Sequence, residues 1–199
     1  MSEMYTEDGA YVGNKDDGID GILVVQYQYQ SSASSILVEI GFLKNKDGSI
    51  MSSADFNKFT AAVYGESSGN KDESYAIADV IINQSDYSGR SPIDIIENTG
   101  IYGYNESSQN AATSGASSNT DSKLVQARGA VIDSLMGSTD SSRGAYFWEG
   151  TQFLSDSSNY FASRMSGANP IFVSTCVIGG TTFIKYNPKN KSYGRRVWP

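Results

Sequence analysis

The segment from Tyr75 to Asn83 constrains the fold more than any other part of the sequence. Its letters, YAIADVIIN, place apolar side chains nearly all round a helix, with Asp79 as the exception. A helix that is apolar on all sides is buried among other elements rather than lying on a surface. The preceding residues 70–73, NKDE, provide a cap and an acidic first turn, which are typical of a helix start. We therefore predict a central, buried helix that begins near Asn70.

The helix before it ends in a carboxylate. In the run DFNKFTAAVYGESSGN, Phe59, Ala62, Val63 and Glu66 are spaced i, i+3, i+4 and i+7, so they share one helix face. A charged group facing a core is costly unless it is paired or keeps its proton, and a protonated carboxyl group can act as a general acid. Glu66 is therefore the candidate catalytic residue. The alternative is a solvated Glu66, because the adjoining Gly65 and the Ser-Ser-Gly that follows could let the helix end fray.

The first fifty residues are patterned as strands and turns. Residues 21–29 and 36–43 are apolar or alternate between apolar and polar, and residues 31–35 link them. We predict an N-terminal β segment over residues 1–50, followed by a domain over residues 51–199. The two parts are expected to form one compact unit, although the β segment could be separable.

The rest of the chain is predicted to be helical with a C-terminal hairpin, which makes the fold class α+β. Helices are predicted from Ser52 to Glu66, from Asn70 to Asn83, from Ser91 to Gly100 and from Leu124 to Leu135. Residues 105–120 are rich in Ser, Asn, Ala and Gly, which predicts a mobile loop. Residues 173–178 and 181–186, joined by Gly179-Gly180, predict a β-hairpin.

Composition limits the chemistry to carboxylates. The chain has no histidine, which removes Ser-His-Asp and Cys-His nucleophile systems and the common zinc sites. We expect no cofactor and no bound metal, and we expect Cys176 to be an inert, buried thiol. A net charge of −7 argues against a nucleic-acid partner, because phosphate binding needs clustered Lys and Arg. The basic residues near the C-terminus are expected to form a solvated end; they are Lys185, Lys189, Lys191, Arg195 and Arg196.

Two segments of the helical region together resemble a known family. Residues 62–69, AVYGESSG, followed by residues 75–83, resemble the SleB-like, spore-cortex-lytic cell wall hydrolases. In that family a helix ends in a catalytic Glu, and a buried helix ending in an apolar-Asn pair follows a short polar turn. The similarity is densest over residues 59–105 and continues more loosely through residues 144–150, GAYFWEG, to the hairpin ending at Tyr186. The resemblance implies a lysozyme-like α+β fold with a helical core, an N-terminal β segment and a C-terminal β-hairpin.

The resemblance also implies a peptidoglycan-degrading glycosidase. Glu66 would protonate the glycosidic oxygen between N-acetylmuramic acid and N-acetylglucosamine, in a muramidase or in a lytic transglycosylase. In the second case the same Glu would then deprotonate the muramoyl 6-hydroxyl. The chain departs from the family where Gln84 replaces a common Arg and where Thr181-Thr182 replaces a common His in the hairpin.

Several aromatic and polar residues are candidate substrate contacts. They are Asn83, Tyr102, Tyr104, Tyr146, Trp148 and Glu149. Tyr102 and Tyr104 could stack on sugars or simply pack in a loop. Candidates for a second carboxylate are Asp72, Glu73, Glu97, Glu149 and Asp156. Asp72 and Glu73 are better explained as helix N-terminal charges, and Glu149 is favoured because aromatic residues precede it.

The expected partner is the glycan strand of peptidoglycan. The N-terminal MSEMYTEDGAYVG lacks the features of a secretory signal, and no apolar run is long enough to cross a bilayer, so we expect no membrane insertion. We expect delivery without a signal peptide to the periplasm or cell wall of a target bacterium, as a type VI secretion effector or a phage lysin. An injected toxin would imply a cognate immunity protein.

A non-enzymatic alternative stays open. The altered hairpin and the acidic charge favour a glycan- or protein-binding module of the same fold, whereas Glu66 on an apolar stripe argues for an enzyme. A wall-peptide amidase or peptidase is disfavoured, because the chain has no histidine.

Overall fold

The computed structural model describes residues 1–31 and 34–190, and it confirms the α+β class. The N-terminal sheet contains β1 (Ser2–Thr6), β2 (Tyr11–Lys15), β3 (Ile22–Ser31) and β4 (Ser34–Phe42). The helical part contains α1 (Ser53–Glu66), α2 (Lys71–Ser88), α3 (Pro92–Asn98), α4 (Glu106–Ser114) and α5 (Ser122–Leu135). The C-terminal part contains β5 (Phe147–Gly150), a 3-10 helix (Thr151–Ser155), α6 (Ala162–Met165), β6 (Phe172–Ile178) and β7 (Thr181–Tyr186).

The strands form two separate sheets. The N-terminal sheet has the order β2-β1-β3-β4, in which β1 is parallel to β3 and the other pairs are antiparallel. The C-terminal sheet has the antiparallel order β5-β7-β6, so the predicted hairpin of β6 and β7 is confirmed and β5 pairs with its second strand. Part of the predicted link at 31–35 lies outside the described residues, as do the basic residues Lys191, Arg195 and Arg196.

Helix α2 is the buried central helix that its apolar pattern predicts. Asn70 caps it by accepting a hydrogen bond from the backbone N–H of Glu73. Ala76, Ile77 and Val80 are fully buried in the main core. The helix continues past the predicted end and stops before Gly89, whose positive φ suits a left-handed cap.

The N-terminal sheet shares this core rather than standing apart from it. Tyr5 of β1 and Ile22 of β3 belong to the same buried cluster as Phe56, Phe59 and Ile77 of the helices. The ring of Tyr5 packs against that of Phe56 with centroids 5.2 Å apart. The N-terminal segment, residues 1–50, therefore covers one side of the helical core.

Arg128 of α5 is a charged residue on an otherwise apolar helix stripe, and it is buried. Its guanidinium donates hydrogen bonds to the carbonyl oxygens of Ala116 and Ser118 and lies over the ring of Tyr5. The carbonyl oxygens and the aromatic face supply the partners that a buried cation needs. Arg128 thereby fixes the connection between α4 and α5 to the N-terminal sheet.

The prediction of a mobile loop over residues 105–120 is wrong for its first part, which forms α4. Asn105 and Ser108 make a reciprocal capping box, in which each side chain accepts from the other's backbone N–H. Ala112 then packs against Ala61 of α1 and Leu124 of α5. Capping and tertiary packing stabilise a helix whose composition alone is typical of a loop.

The structure bears on two further expectations from the sequence, the burial of the Cys176 thiol and the length of apolar segments. Cys176 is half-buried on β6 rather than buried as expected, and its Sγ lies 3.8 and 3.7 Å from the carbonyl oxygens of Ser141 and Ser142. Over residues 1–31 and 34–190, none of the helices is long and apolar enough to cross a membrane.

Asp79, the polar exception in α2, holds the segment that leads to β5. Its Oδ2 accepts a 2.6 Å hydrogen bond from the backbone N–H of Ser141. Burial raises the pKa of Asp79 to about 7, and the nearby charges of Asp140 and Asp133 act in the same direction. Burial alone would raise the pKa of Asp140 too, but hydrogen bonds from Ser142 and other donors hold it below its usual value.

We expect Asp79 to make the fold less stable as pH rises. Its pKa is about 7 in the folded state against an ordinary value of 3.8, so the stability that Asp79 contributes is fully present below about pH 4 and is lost as the pH rises through about 7. Asp79→Asn keeps an acceptor oxygen for Ser141 and has no proton to lose. Thermal unfolding at pH 5 and pH 8 should therefore show a smaller pH dependence in this variant than in wild type.

The matched control is Asp72→Asn, at an exposed position in the first turn of the same helix. It should keep the pH dependence of the wild type. An Asp79→Asn variant with an unchanged pH dependence would show that this carboxyl group does not hold its proton in the fold.

Candidate active site

A cleft of about 780 Å³ lies where the end of α1, the start of α2 and the C-terminal sheet meet. Three carboxylates line it, those of Glu66, Glu73 and Glu149. Aromatic side chains line much of the rest: Tyr102, Phe147, Trp148, Phe153, Tyr160, Phe161, Phe172 and Tyr186. The cleft therefore combines acidic groups with flat apolar surfaces, as carbohydrate-binding sites do.

Glu66 is the last residue of α1, and its half-buried side chain lies in the cleft. Its Oε1 accepts a 2.5 Å hydrogen bond from the backbone N–H of Gly103. Its Oε2 accepts a 2.9 Å hydrogen bond from the indole Nε1 of Trp148. The carboxyl group is therefore held in one orientation, whereas a frayed helix end would leave it in bulk water.

Two glycines bring the Gly103 N–H to Glu66. The backbone of Gly65, next to Glu66 in α1, touches the backbone of Gly103 in the connection between α3 and α4. A Cβ atom added to either glycine would overlap the other's backbone. The close approach requires glycine at both positions, and it explains the Gly-Glu pair at the end of the helix.

The carboxylate of Glu73 holds together the segments that form the cleft. Its side chain is 1% exposed, and its Oε2 accepts hydrogen bonds from the backbone N–H and the hydroxyl of Ser68, at 2.6 and 2.5 Å. Its Oε1 accepts a 2.6 Å hydrogen bond from the hydroxyl of Thr181. One carboxylate thus joins the first turn of α2, the turn after Glu66 and the start of β7.

Asp72 and Glu73 both stand in the first turn of α2, as predicted for helix N-terminal charges. Asp72 is exposed, whereas Glu73 is buried and also lines the cleft. The sequence contains a signal for the burial of Glu73. Glu73, Ala76, Ile77 and Val80 follow the same i, i+3, i+4 and i+7 spacing that identified Glu66 as a candidate.

Strand β5 contributes Trp148 and Glu149 to the cleft. Trp148 packs against the main core and donates its indole N–H to Glu66. Glu149 accepts hydrogen bonds from the Asn159 side chain and from the backbone N–H of Gly150, both at 3.0 Å. Glu149 is thus the remaining cleft carboxylate that could face a substrate, because Glu73 is enclosed.

The other candidates for a second carboxylate lie away from the cleft lining. Glu97 is exposed and pairs with Lys58, with Oε1 and Nζ 2.8 Å apart. Asp156 is exposed and caps a turn by accepting hydrogen bonds from Ser158.

Aromatic rings form a continuous wall beside the carboxylates. Phe147 contacts Phe161, Phe172 and Tyr186, with ring centroids 5.4 Å apart in each pair. Tyr160 extends the wall and is 55% exposed, and Phe153 is equally exposed. The half-exposed ring of Phe153 offers a face on which a sugar ring can stack. The guanidinium of Arg164 lies over the ring of Tyr160, 4.0 Å from the ring centroid.

The structure brings some of the predicted substrate contacts together and leaves others apart. Tyr102, Trp148 and Glu149 line the cleft, and Tyr102 is 94% exposed. Tyr104 is not part of the lining, because it packs between the two buried clusters. Tyr146 also lies outside the lining, where its ring packs against Tyr87 at 5.1 Å.

Asn83 too lies outside the cleft lining. Its amide donates hydrogen bonds to Asp140, to Ser142 and to the carbonyl of Ala145. These hydrogen bonds hold the segment before β5 against α2. The next residue, Gln84, lines the cleft instead, because one residue along a helix turns the side chain by about 100°.

Two buried polar atoms of the lining residues have no hydrogen-bond partner. Gln84 donates its amide N–H to the carbonyl of Tyr146, while its Oε1 is unpartnered. The hydroxyl of Ser67 is also unpartnered. Unpaired buried polar atoms are uncommon in folded proteins, and a ligand in the cleft is one way to pair them.

No cluster of three or more acidic or cysteine side chains suited to a metal ion occurs within residues 1–31 and 34–190. Comparisons with protein-family models, with curated proteins and with solved structures gave no match. The geometry of the cleft is therefore the basis for any functional proposal.

We expect Gly65→Ala to destabilise the protein by about 1–3 kcal/mol, because the added methyl overlaps Gly103. Helix propensity alone predicts the opposite sign, since Ala is favoured over Gly by about 1 kcal/mol in a helix. Urea unfolding measures the difference. Gly180→Ala, with nothing within 4 Å of the added Cβ, is the control and should change stability by less than about 0.5 kcal/mol. A stabilised Gly65→Ala variant would refute the close approach.

We expect Glu73→Gln to destabilise the protein by about 1–3 kcal/mol. The amide nitrogen cannot accept, so at least one of the donors on Ser68 or Thr181 loses its buried partner. Asp72→Asn is the neighbouring control, since Asp72 is exposed. Equal unfolding midpoints for the two variants would contradict the bridging role of Glu73.

Proposed function

We propose that the protein is a peptidoglycan-degrading glycosidase of the SleB-like, lysozyme-like type, with Glu66 as its general acid. The observation that carries the proposal is the position of Glu66. It is a half-buried carboxyl group fixed inside a cleft of about 780 Å³, beside a wall of aromatic rings. General acid catalysis of glycoside cleavage needs a positioned carboxyl group of this kind.

In the proposed reaction Glu66 donates its proton to the oxygen between N-acetylmuramic acid and N-acetylglucosamine. The C–O bond breaks, the leaving sugar keeps the proton, and Glu66 is left as a carboxylate. The N–H groups of Gly103 and Trp148 then stabilise that charge, because hydrogen bonds to an ionised acceptor are stronger than those to a neutral one. They also hold the carboxyl group in place for the next step.

Two outcomes of the second step fit this arrangement. In a lytic transglycosylase Glu66 takes the proton of the muramoyl 6-hydroxyl, whose oxygen closes a 1,6-anhydro ring. In a muramidase a water molecule adds to C1 of the muramoyl residue and gives its proton to a second carboxylate. Glu149 is the cleft residue for that role, because Glu73 is enclosed by its own hydrogen bonds.

The aromatic wall supplies the substrate contacts in this proposal. The exposed ring of Phe153 would stack on a sugar ring, and Tyr102 would contact the strand near Glu66. Tyr160 would add a contact beside Arg164, whose guanidinium lies over its ring. The proposed site of action is the periplasm or cell wall of a target bacterium, reached as a type VI effector or a phage lysin. A delivered toxin would require an immunity protein that covers the cleft.

The second candidate is a glycan-binding module without catalysis. It is favoured by one specific observation, which is that both oxygens of Glu66 already accept hydrogen bonds within the fold. A carboxylate so satisfied can serve to join α1 to β5. Under this alternative the same cleft and wall would bind glycan strands without cleaving them.

The test is digestion of purified sacculi, with the soluble products identified by mass spectrometry. We expect the wild type to release muropeptides and Glu66→Gln to lower the rate by at least about 100-fold, because the amide cannot donate an acidic proton. Glu97→Gln, an exposed acid outside the cleft lining, is the control and should keep wild-type activity.

The products separate the alternatives. Ends in 1,6-anhydromuramic acid identify a transglycosylase, and reducing ends identify a muramidase. Sacculus binding without release by the wild type would replace the glycosidase with the binding module. Equal rates for the wild type and Glu66→Gln would remove Glu66 from the chemistry.

A further inference from the structure

The charged side chains that line the cleft are acidic. Glu66, Glu73 and Glu149 line it, and no Lys or Arg is among the lining residues in the part of the chain that the structure describes. The ion pairs of these described residues involve other carboxylates, such as that of Glu97 with Lys58. The three cleft carboxylates therefore have no cationic partner within residues 1–31 and 34–190.

The hydrogen bonds that these carboxylates accept come from neutral groups. Glu66 accepts from a backbone N–H and an indole, and Glu73 accepts from a backbone N–H and two hydroxyls. Glu149 accepts from an amide side chain and a backbone N–H. Neutral donors fix the orientation of a carboxylate but leave its net charge in place, so the cleft keeps a negative potential when these groups are ionised.

A further acceptor is available in the same cleft. Gln84 is 6% exposed, and its Oε1 has no hydrogen-bond partner although its amide N–H is used. The amide is fixed by the bond to the carbonyl of Tyr146, so the free atom can only accept. An unpartnered acceptor favours a ligand that brings a hydrogen-bond donor to this position.

The aromatic wall also favours a ligand with positive charge. The faces of Tyr and Phe rings attract cations, and the exposed ring of Phe153 lies in the same cleft as the carboxylates. Tyr160 already makes such a contact, because the guanidinium of Arg164 lies 4.0 Å from its ring centroid. A ligand that carries ammonium groups on sugar-like rings would use the carboxylates, the free acceptor and the ring faces together. A ligand that carries carboxylates would be repelled.

We propose that the cleft selects glycan strands with free amino groups, that is, de-N-acetylated hexosamine residues, over fully N-acetylated strands. This inference rests on the proposed glycosidase function and specifies its substrate class. Glu149 is the specificity-determining residue, because it is the cleft carboxylate that is neither the general acid nor enclosed.

The test compares the initial cleavage rates of one batch of sacculi before and after enzymatic de-N-acetylation, at about pH 6 where amino groups carry a proton. We expect the wild type to cleave the de-N-acetylated strands about fivefold faster at low ionic strength, and the ratio to fall as salt screens the charges. Glu149→Gln should bring the ratio close to one, whereas Glu97→Gln should leave it unchanged.

Peptide-free strands form the second arm, because the diamino acid of a stem peptide also carries an amino group. A preference that persists on peptide-free strands assigns the recognised ammonium to the sugar. A preference that disappears when the peptides are removed overturns the sugar assignment.

A binding measurement separates this inference from the proposed function. Calorimetric titration compares tetra-glucosamine with tetra-N-acetylglucosamine on the wild type and on Glu149→Gln. Equal rates and equal affinities would overturn the charge preference while Glu66-dependent cleavage stands. If no strand is cleaved, tighter binding of the amino form that depends on Glu149 still supports the preference, and equal binding refutes it.

Discussion

The buried carboxylate of Glu73 joins the three segments that form the cleft. Its two oxygens hold the turn after α1, through Ser68, and the start of β7, through Thr181. Because strand β7 pairs with β5, this contact also sets the position of Trp148 relative to the end of α1. Trp148 in turn fixes Glu66, so an acid in the first turn of α2 determines where the acid at the end of α1 can act.

The spacing of apolar residues along the sequence predicted those features of the cleft that depend on a single helix. The stripe ending at Glu66 and the apolar run of α2 are one-dimensional patterns, and both helices lie where those patterns indicate. Helix α4 was missed because its stability comes from a capping box and from contacts with α1 and α5, which composition does not show. Asn83 and Tyr146 were predicted as substrate contacts, but tertiary contacts that the sequence pattern does not show hold them elsewhere. Asn83 bonds to the segment before β5, and the ring of Tyr146 packs against Tyr87.

Neutral donors orient the cleft carboxylates and the carboxyl group of Asp79, whereas exposed acids such as Glu97 pair with cations. Asp79 accepts from the backbone of Ser141, and Glu66 accepts from a backbone N–H and an indole. The fixed orientation of Glu66 suits proton transfer. Neutral donors also leave the charge of an ionised cleft carboxylate in place, which suits attraction of a positively charged strand. The glycan-binding alternative shares the cleft and its charge, and it differs only in whether the proton of Glu66 reaches the glycosidic oxygen.

The most direct test is a pair of crystal structures, of the wild type and of Glu66→Gln, each soaked with the same peptidoglycan tetrasaccharide. We expect an intact tetrasaccharide in the variant and cleaved product in the wild type. In the variant, the oxygen between N-acetylmuramic acid and N-acetylglucosamine should lie within about 3 Å of the side chain at position 66. An intact strand in both structures, or a strand bound away from position 66, would contradict it.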